Sequence, residues 1–117
     1  MDVNHLHLHV RDRDRSQSFY QRWFALTVAN KGEAITFLNG DRGFLFALMD
    51  DAAPAPMPPW FHFGIRMDSP ADVRTTLASM QEEGVPIVKP LYEDPKLASF
   101  RCTDPDAYVI EVYWAPN

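Results

Sequence analysis

Residues 3–10 read Val-Asn-His-Leu-His-Leu-His-Val, and residues 62–67 read His-Phe-Gly-Ile-Arg-Met. The first stretch alternates strictly. A period of two puts His5, His7 and His9 on one face of a strand and Leu6, Leu8 and Val10 on the other. The apolar face suits a helix; the histidine face suits something polar. The second stretch, inside a strand expected over 60–67, carries a histidine at the matching position. Each stretch is followed by helix signals. After the first, Asp12 or Asp14 can cap a helix in which Phe19 and Trp23, and Tyr20 and Phe24, recur at i and i+4. After the second, Ser69-Pro70-Ala71-Asp72 supplies an N-cap serine, a proline at N1 and an acid at N3. Val73, Leu77 and Met80 then share one helical face, and Gly84 sits where a C′ glycine belongs.

Three strands should follow each helix. In the first half they are expected at 26–30, at 33–39 after Lys31-Gly32, and at 43–49 after the turn-rich Asn39-Gly40-Asp41-Arg42-Gly43. In the second half they are expected at 85–89, 98–103 and 108–114, with Asp104-Pro105-Asp106-Ala107 turning between the last two. Between the halves, residues 50–59 hold four prolines, which forbid a helix and favour an extended connection. The order is therefore βαβββ, a Pro-rich joint, then βαβββ. Gly43-Phe-Leu-Phe-Ala47 corresponds to Ala107-Tyr-Val-Ile-Glu111, each after a hairpin turn. This internal repeat predicts an α+β fold with a curled mixed sheet around a cavity. It is read as one domain over 1–117, with module 1 at about 1–49, the joint at 50–59 and module 2 at about 60–117.

A chain of 117 residues suits a single core. No apolar run approaches the roughly 18 to 20 residues that span a bilayer, and the N-terminus has no signal-peptide pattern, so no membrane partner is expected. The net charge of −5 argues against nucleic acid, whose phosphates need a basic surface. Cys102 is the only cysteine. That excludes an intrachain disulfide and a cysteine zinc site and points to a reducing cytoplasm; within its strand pattern it reads as a small buried hydrophobe.

Asn4-His5-Leu6…Val10, Ser16…Phe19-Tyr20, His62-Phe-Gly-Ile, Glu83-Gly84-Val85 and Asp104-Pro105-Asp106…Ile110-Glu111-Val112 occur in an order that resembles the vicinal oxygen chelate superfamily. This is the glyoxalase/bleomycin-resistance/extradiol-dioxygenase group. The resemblance covers essentially the whole chain. It implies a divalent metal (Fe, Mn, Zn or Ni) held at positions that fall here on His5, Ala47, His62 and Glu111. Ala47 cannot ligate, so His5, His62 and Glu111 are the expected ligands, leaving open positions for a substrate chelated through vicinal oxygens. Lyase, isomerase and dioxygenase chemistry all fit that scaffold, and the same fold serves metal-free binding proteins of the bleomycin-resistance type. Homodimerisation is implied by the resemblance as well.

Around that triad, His7 is the expected proton carrier, and Tyr113, on the Glu111 face of the last strand, is the second catalytic candidate. His9, Arg66 and Arg101 are the expected substrate contacts. Four have a plainer alternative: a ligand-orienting histidine for His7, a core tyrosine for Tyr113, a solvated rim for His9, a surface arginine for Arg66. Glu111, flanked by apolar residues in a strand, is costly to bury unless paired or bound to a cation. The acidic pairs Asp50-Asp51 and Glu82-Glu83 read as solvated. Two departures narrow the reading. The chain ends six residues after Glu111, without the arginine-bearing C-terminal segment of similar fosfomycin enzymes. It also has no second pair of modules, which similar extradiol dioxygenases carry.

Overall fold

A computed structural model describes all residues 1–117, which form two compact units, Met1–Pro56 and Met57–Asn117. In the first, β1 (His5–Val10) leads to α1 (Arg13–Phe24), then β2 (Thr27–Lys31), β3 (Ile35–Asn39) and β4 (Leu45–Asp50). In the second, β5 (Phe63–Arg66) leads to α2 (Pro70–Glu82), then β6 (Ile87–Asp94), β7 (Leu97–Thr103) and β8 (Val109–Trp114). The sheets are ordered β1-β4-β3-β2 and β5-β8-β7-β6. In each, the first and last strands pair in parallel and the other pairs are antiparallel. The architecture is α+β, with two four-stranded mixed sheets.

The two units repeat at the level of register. His7 pairs with Ala47 across β1–β4, and Gly64 pairs with Glu111 across β5–β8, the same correspondence that the sequence repeat assigns. On the antiparallel side, Phe37 pairs with Ala47 and Arg101 with Glu111. One face of each sheet is apolar and closed: Leu8, Val10, Leu38, Phe46 and Leu48 are buried in the first unit, and Ala98, Phe100, Cys102, Ile110 and Val112 in the second. α1 packs on β3 and β4, and α2 on β7 and β8. Tyr20 of α1 lies 4.8 Å, centroid to centroid, from Phe46, while Val73 and Met80 of α2 are fully buried.

Local chemistry sets the helix ends. Asp12 caps α1, its carboxylate accepting from the amides of Asp14 and Arg15 at 3.0 and 3.1 Å. The Ser69 hydroxyl accepts from the Asp72 amide at 3.1 Å, with Pro70 opening the helix. Gly84, at φ +78°, stops it with nothing near where a Cβ would lie, as a C′ glycine should.

Most strands fall within one or two residues of their expected bounds, and two differ more. The strand read over 60–67 is Phe63–Arg66 only, because Pro59 and Trp60 turn, with the Phe61 amide donating to the Pro58 carbonyl at 2.9 Å. The strand read over 85–89 runs on to Asp94 despite Pro90. β6 is an edge strand, where a missing amide proton leaves no ladder bond unmade, and Pro90 lies within a register shift between Lys89 and Tyr92. The hairpin closes at Asp94, whose carboxylate accepts from the Lys96 amide at 2.7 Å.

Arg13 ties the first unit together. Its Nε donates to Asp50 at 2.7 Å, Nη1 to the Gly32 carbonyl at 2.9 Å and Nη2 to the Glu33 carbonyl at 2.7 Å. The start of α1, the β2–β3 turn and the end of β4 thus meet on one largely buried guanidinium. Arg13→Ala is expected to cost about 2–3 kcal/mol, since it leaves carbonyls and a carboxylate without their donor. Urea unfolding measures it, and a loss below about 0.5 kcal/mol, the level of an ordinary surface substitution, would show that the clamp carries little.

Candidate functional site

The face of β7 and β8 opposite α2 carries polar residues at alternate positions: Ser99 and Arg101 on β7, Glu111 and Tyr113 on β8. Period-two alternation brings them there, because Ala98, Phe100, Cys102, Ile110 and Val112 are committed to the core. Glu111 is half-buried. The Ser99 hydroxyl donates to its Oε2 at 2.6 Å, and its Oε1 lies 3.7 Å from Nε2 of His62, one residue before β5. Arg101 Nη2 reaches the same Nε2 at 3.5 Å.

The His62 ring is oriented from behind. Its Nδ1 lies 3.2 Å from the Trp60 carbonyl oxygen. A carbonyl can only accept, so Nδ1 carries a proton, and in the neutral ring Nε2 presents its lone pair toward Glu111 and Arg101. This is the arrangement in which metal-binding histidines are held by a partner on the far nitrogen. Two ligands at about 2.1 Å from one ion, subtending 90–110°, lie about 3.0–3.4 Å apart. The 3.7 Å separation of Nε2 and Oε1 needs only a small closure to meet that, so His62 and Glu111 fit a divalent cation as neighbouring ligands. No group of three or more His, Cys, Asp or Glu side chains converges to hold a metal.

On the first unit, His5, His7 and His9 are exposed on one face of β1. His5 Nδ1 lies 3.2 Å from the Asn4 side-chain oxygen, and His9 Nδ1 lies 2.9 Å from Asp51 Oδ2. The His7 and His9 rings are 5.2 Å apart. Asp51 is held below the usual carboxylate range, chiefly by the hydrogen bond from His9. The acidic pair Asp50-Asp51, read from sequence as solvated, is therefore engaged, Asp50 by Arg13 and Asp51 by His9.

Tyr113 is placed by a glycine. A Cβ on Gly64 would meet Tyr113 Cε1 at 3.0 Å, so the ring lies across β5 where only glycine leaves room, beside Glu111 in register. Arg66, paired with Tyr113 across β5–β8, donates to the Ala115 carbonyl.

The model of the Glyoxalase/Bleomycin resistance protein/Dioxygenase superfamily matches residues 2–112. The chain belongs to this superfamily. A possible glyoxalase from Bacillus cereus is 26% identical, with a TM-score of 0.82 over 96% of this chain and 97% of that one. A lactoylglutathione lyase from Agrobacterium tumefaciens is 21% identical, with a TM-score of 0.77 over 97% and 92%. A fosfomycin resistance protein from Listeria monocytogenes is 18% identical, with a TM-score of 0.83 over 99% and 94%. No curated protein matches the chain.

Within this superfamily fold, the structure brings together His62, Glu111 and Arg101 of the residues singled out from sequence, with Tyr113 on the same face. It adds two that sequence reasoning passed over: the buried hydroxyl of Ser99 and the backbone carbonyl of Trp60. Ser99 had a signal, since it falls on the polar phase of an otherwise apolar strand. The carbonyl had none, because it depends on the turn at Pro59-Trp60. Cys102 lies on the opposite, core face of β7; burial and then the nearby Asp104 charge push its thiol up to about 12.

Two outcomes follow. Long-range proton–nitrogen NMR of His62 in metal-free protein above neutral pH should show the proton on Nδ1; a proton on Nε2 would remove the geometry described. Cys102, raised above the ordinary thiol value, stays protonated through the neutral and mildly alkaline range. Iodoacetamide at pH 8 should leave the native protein unmodified and label it only in denaturant.

Proposed function

We propose that the chain is a divalent-metal-dependent enzyme acting on a small substrate chelated through vicinal oxygens, in the lyase, isomerase or dioxygenase range of its superfamily. The observation that carries this reading is the His62–Glu111 pair, with the imidazole lone pair turned toward a carboxylate whose other oxygen is already bonded. His62 and Glu111 would hold the ion, and His5 of the first unit is assigned as the third ligand on the strength of the superfamily resemblance. Fe, Mn, Zn and Ni all suit two imidazoles and one carboxylate. When bound, the metal supplies Lewis acidity toward a substrate oxygen.

The remaining steps belong to the chain's own residues. Trp60 and Ser99 orient the two ligands, so neither must be ordered as substrate arrives. His7, an exposed imidazole between His5 and His9, is assigned the proton, taken or returned at its Nε2. The Tyr113 hydroxyl is assigned a hydrogen bond to a substrate oxygen, and His9, Arg66 and Arg101 are assigned to hold the substrate. A homodimer in the cytoplasm completes the reading.

One contact favours the alternative of a metal-free small-molecule binding protein: Arg101 Nη2 already faces the His62 lone pair at 3.5 Å, as in a hydrogen-bonded cluster that needs no ion. Elemental mass spectrometry of untagged protein decides between them. Near-stoichiometric transition metal, lost in His62→Ala, Glu111→Ala and His5→Ala, is the expected result. Protein that stays metal-free after anaerobic reconstitution with Fe(II), Mn(II), Zn(II) and Ni(II) would overturn the enzyme reading in favour of the binding protein.

A further inference from the structure

The polar face of the second sheet carries a row of residues in register: Gly64 on β5, Glu111 on β8, Arg101 on β7 and Lys89 on β6. Residues paired across neighbouring strands point to the same face. Two cations therefore stand side by side beyond the single carboxylate of the row. That carboxylate does not neutralise them: its oxygens face Ser99 and His62, and neither Arg101 nor Lys89 has an acidic side chain within ion-pair distance. Elsewhere Arg13, Lys31 and Arg74 are each paired with an acid, in a chain whose net charge is −5.

This arrangement is unfavourable as it stands. Like charges directly opposite on a sheet repel, and the part-buried Arg101 guanidinium has only the 3.5 Å contact with His62 Nε2, and no anion, to set against its desolvation. Arg101 Nε is, in addition, buried with no hydrogen-bond partner. The equivalent row of the first unit, His7, Ala47 and Phe37, has no such cations, so the repeat does not impose them. The strand that brings Lys89 is also irregular on both sides of it, with register shifts before and after, and such bulges re-aim side chains next to binding sites.

We infer that Arg101 and Lys89 form an oxyanion subsite, and that the substrate carries a carboxylate or phosphate-type group seated on them. The inference rests on the proposed function for the identity of the reacting end. Neighbouring strands lie about 4.8 Å apart, so the anion sits one to two strand spacings, about 5–10 Å, from the His62–Glu111 pair. The substrate is then a small molecule anionic at one end and oxygen-chelating at the other. A planar guanidinium can take two oxygens of such a group at once, with the ammonium of Lys89 as a second point of charge.

The test uses metal-free full-length protein and inorganic phosphate as the probe, with acetate in parallel to separate a phosphate-type from a carboxylate preference. Proton–nitrogen spectra follow the amides of Lys89, Ser99, Arg101 and Glu111. Saturable shifts at these positions are expected, with affinity weakened at least tenfold in Arg101→Gln and about threefold in Lys89→Gln. Arg74→Gln, which removes the same charge from a residue paired with Glu93, should change it less than twofold. No saturation with either anion, unchanged affinity in both row variants, or equal weakening in Arg74→Gln overturns the subsite. If Arg101→Gln does not fold, the exposed Lys89→Gln decides alone. Because no metal is present, loss of metal in the elemental experiment and loss of anion binding here are separate failures.

Discussion

Everything in this molecule follows from pairing the first and last strands of a βαβββ unit in parallel. That pairing makes β4 and β8 interior strands, flanked by β1 and β3 in one unit and by β5 and β7 in the other. An interior strand has no freedom over which face its side chains take: one face is claimed by the helix, and the other is left for chemistry. Glu111 and Tyr113 are held on the open face because Ile110 and Val112 must be on the closed one. The parallel neighbour adds a second constraint, since whatever stands at residue 64 lies beside Glu111. Glycine there lets the Tyr113 ring lie across the strand.

The two copies have used this frame differently. At the position where the second unit has Glu111, the first has Ala47; where the second has Arg101, the first has Phe37. The first unit instead concentrates its polar groups on β1, whose three histidines occupy every outward position. Imidazoles thus gather on one strand of the first unit, and a carboxylate with basic neighbours on the polar face of the second.

Much of this was legible in the sequence. Alternation at 5–10 is enough to put the histidines on one face, and the Ser69-Pro70 cap and Gly84 stop bound α2 to within a residue. Pairing geometry was less accessible. The strand expected over 85–89 stops short of Pro90, and only the edge position of β6 makes a proline harmless within it. Trp60 falls within the strand expected over 60–67; a turn bonded to Pro58 makes it instead the backbone support of His62. The commitments of Asp50 and Asp51 depend on Arg13 and His9, some 40 residues away in sequence. Such long-range pairs leave no periodic trace.

The edge position of Pro90 has a bearing on how molecules of this protein meet one another. A four-stranded open sheet exposes amides and carbonyls along its outer strand, and another chain can add to them as a further strand. On β6 a proline without an amide hydrogen sits mid-strand, next to a lysine on either side of which the register slips. A neighbouring strand would find its ladder interrupted at the centre. β6 thus exposes Val88 and Tyr92 to water on an edge whose broken register makes it a poor template for a further strand.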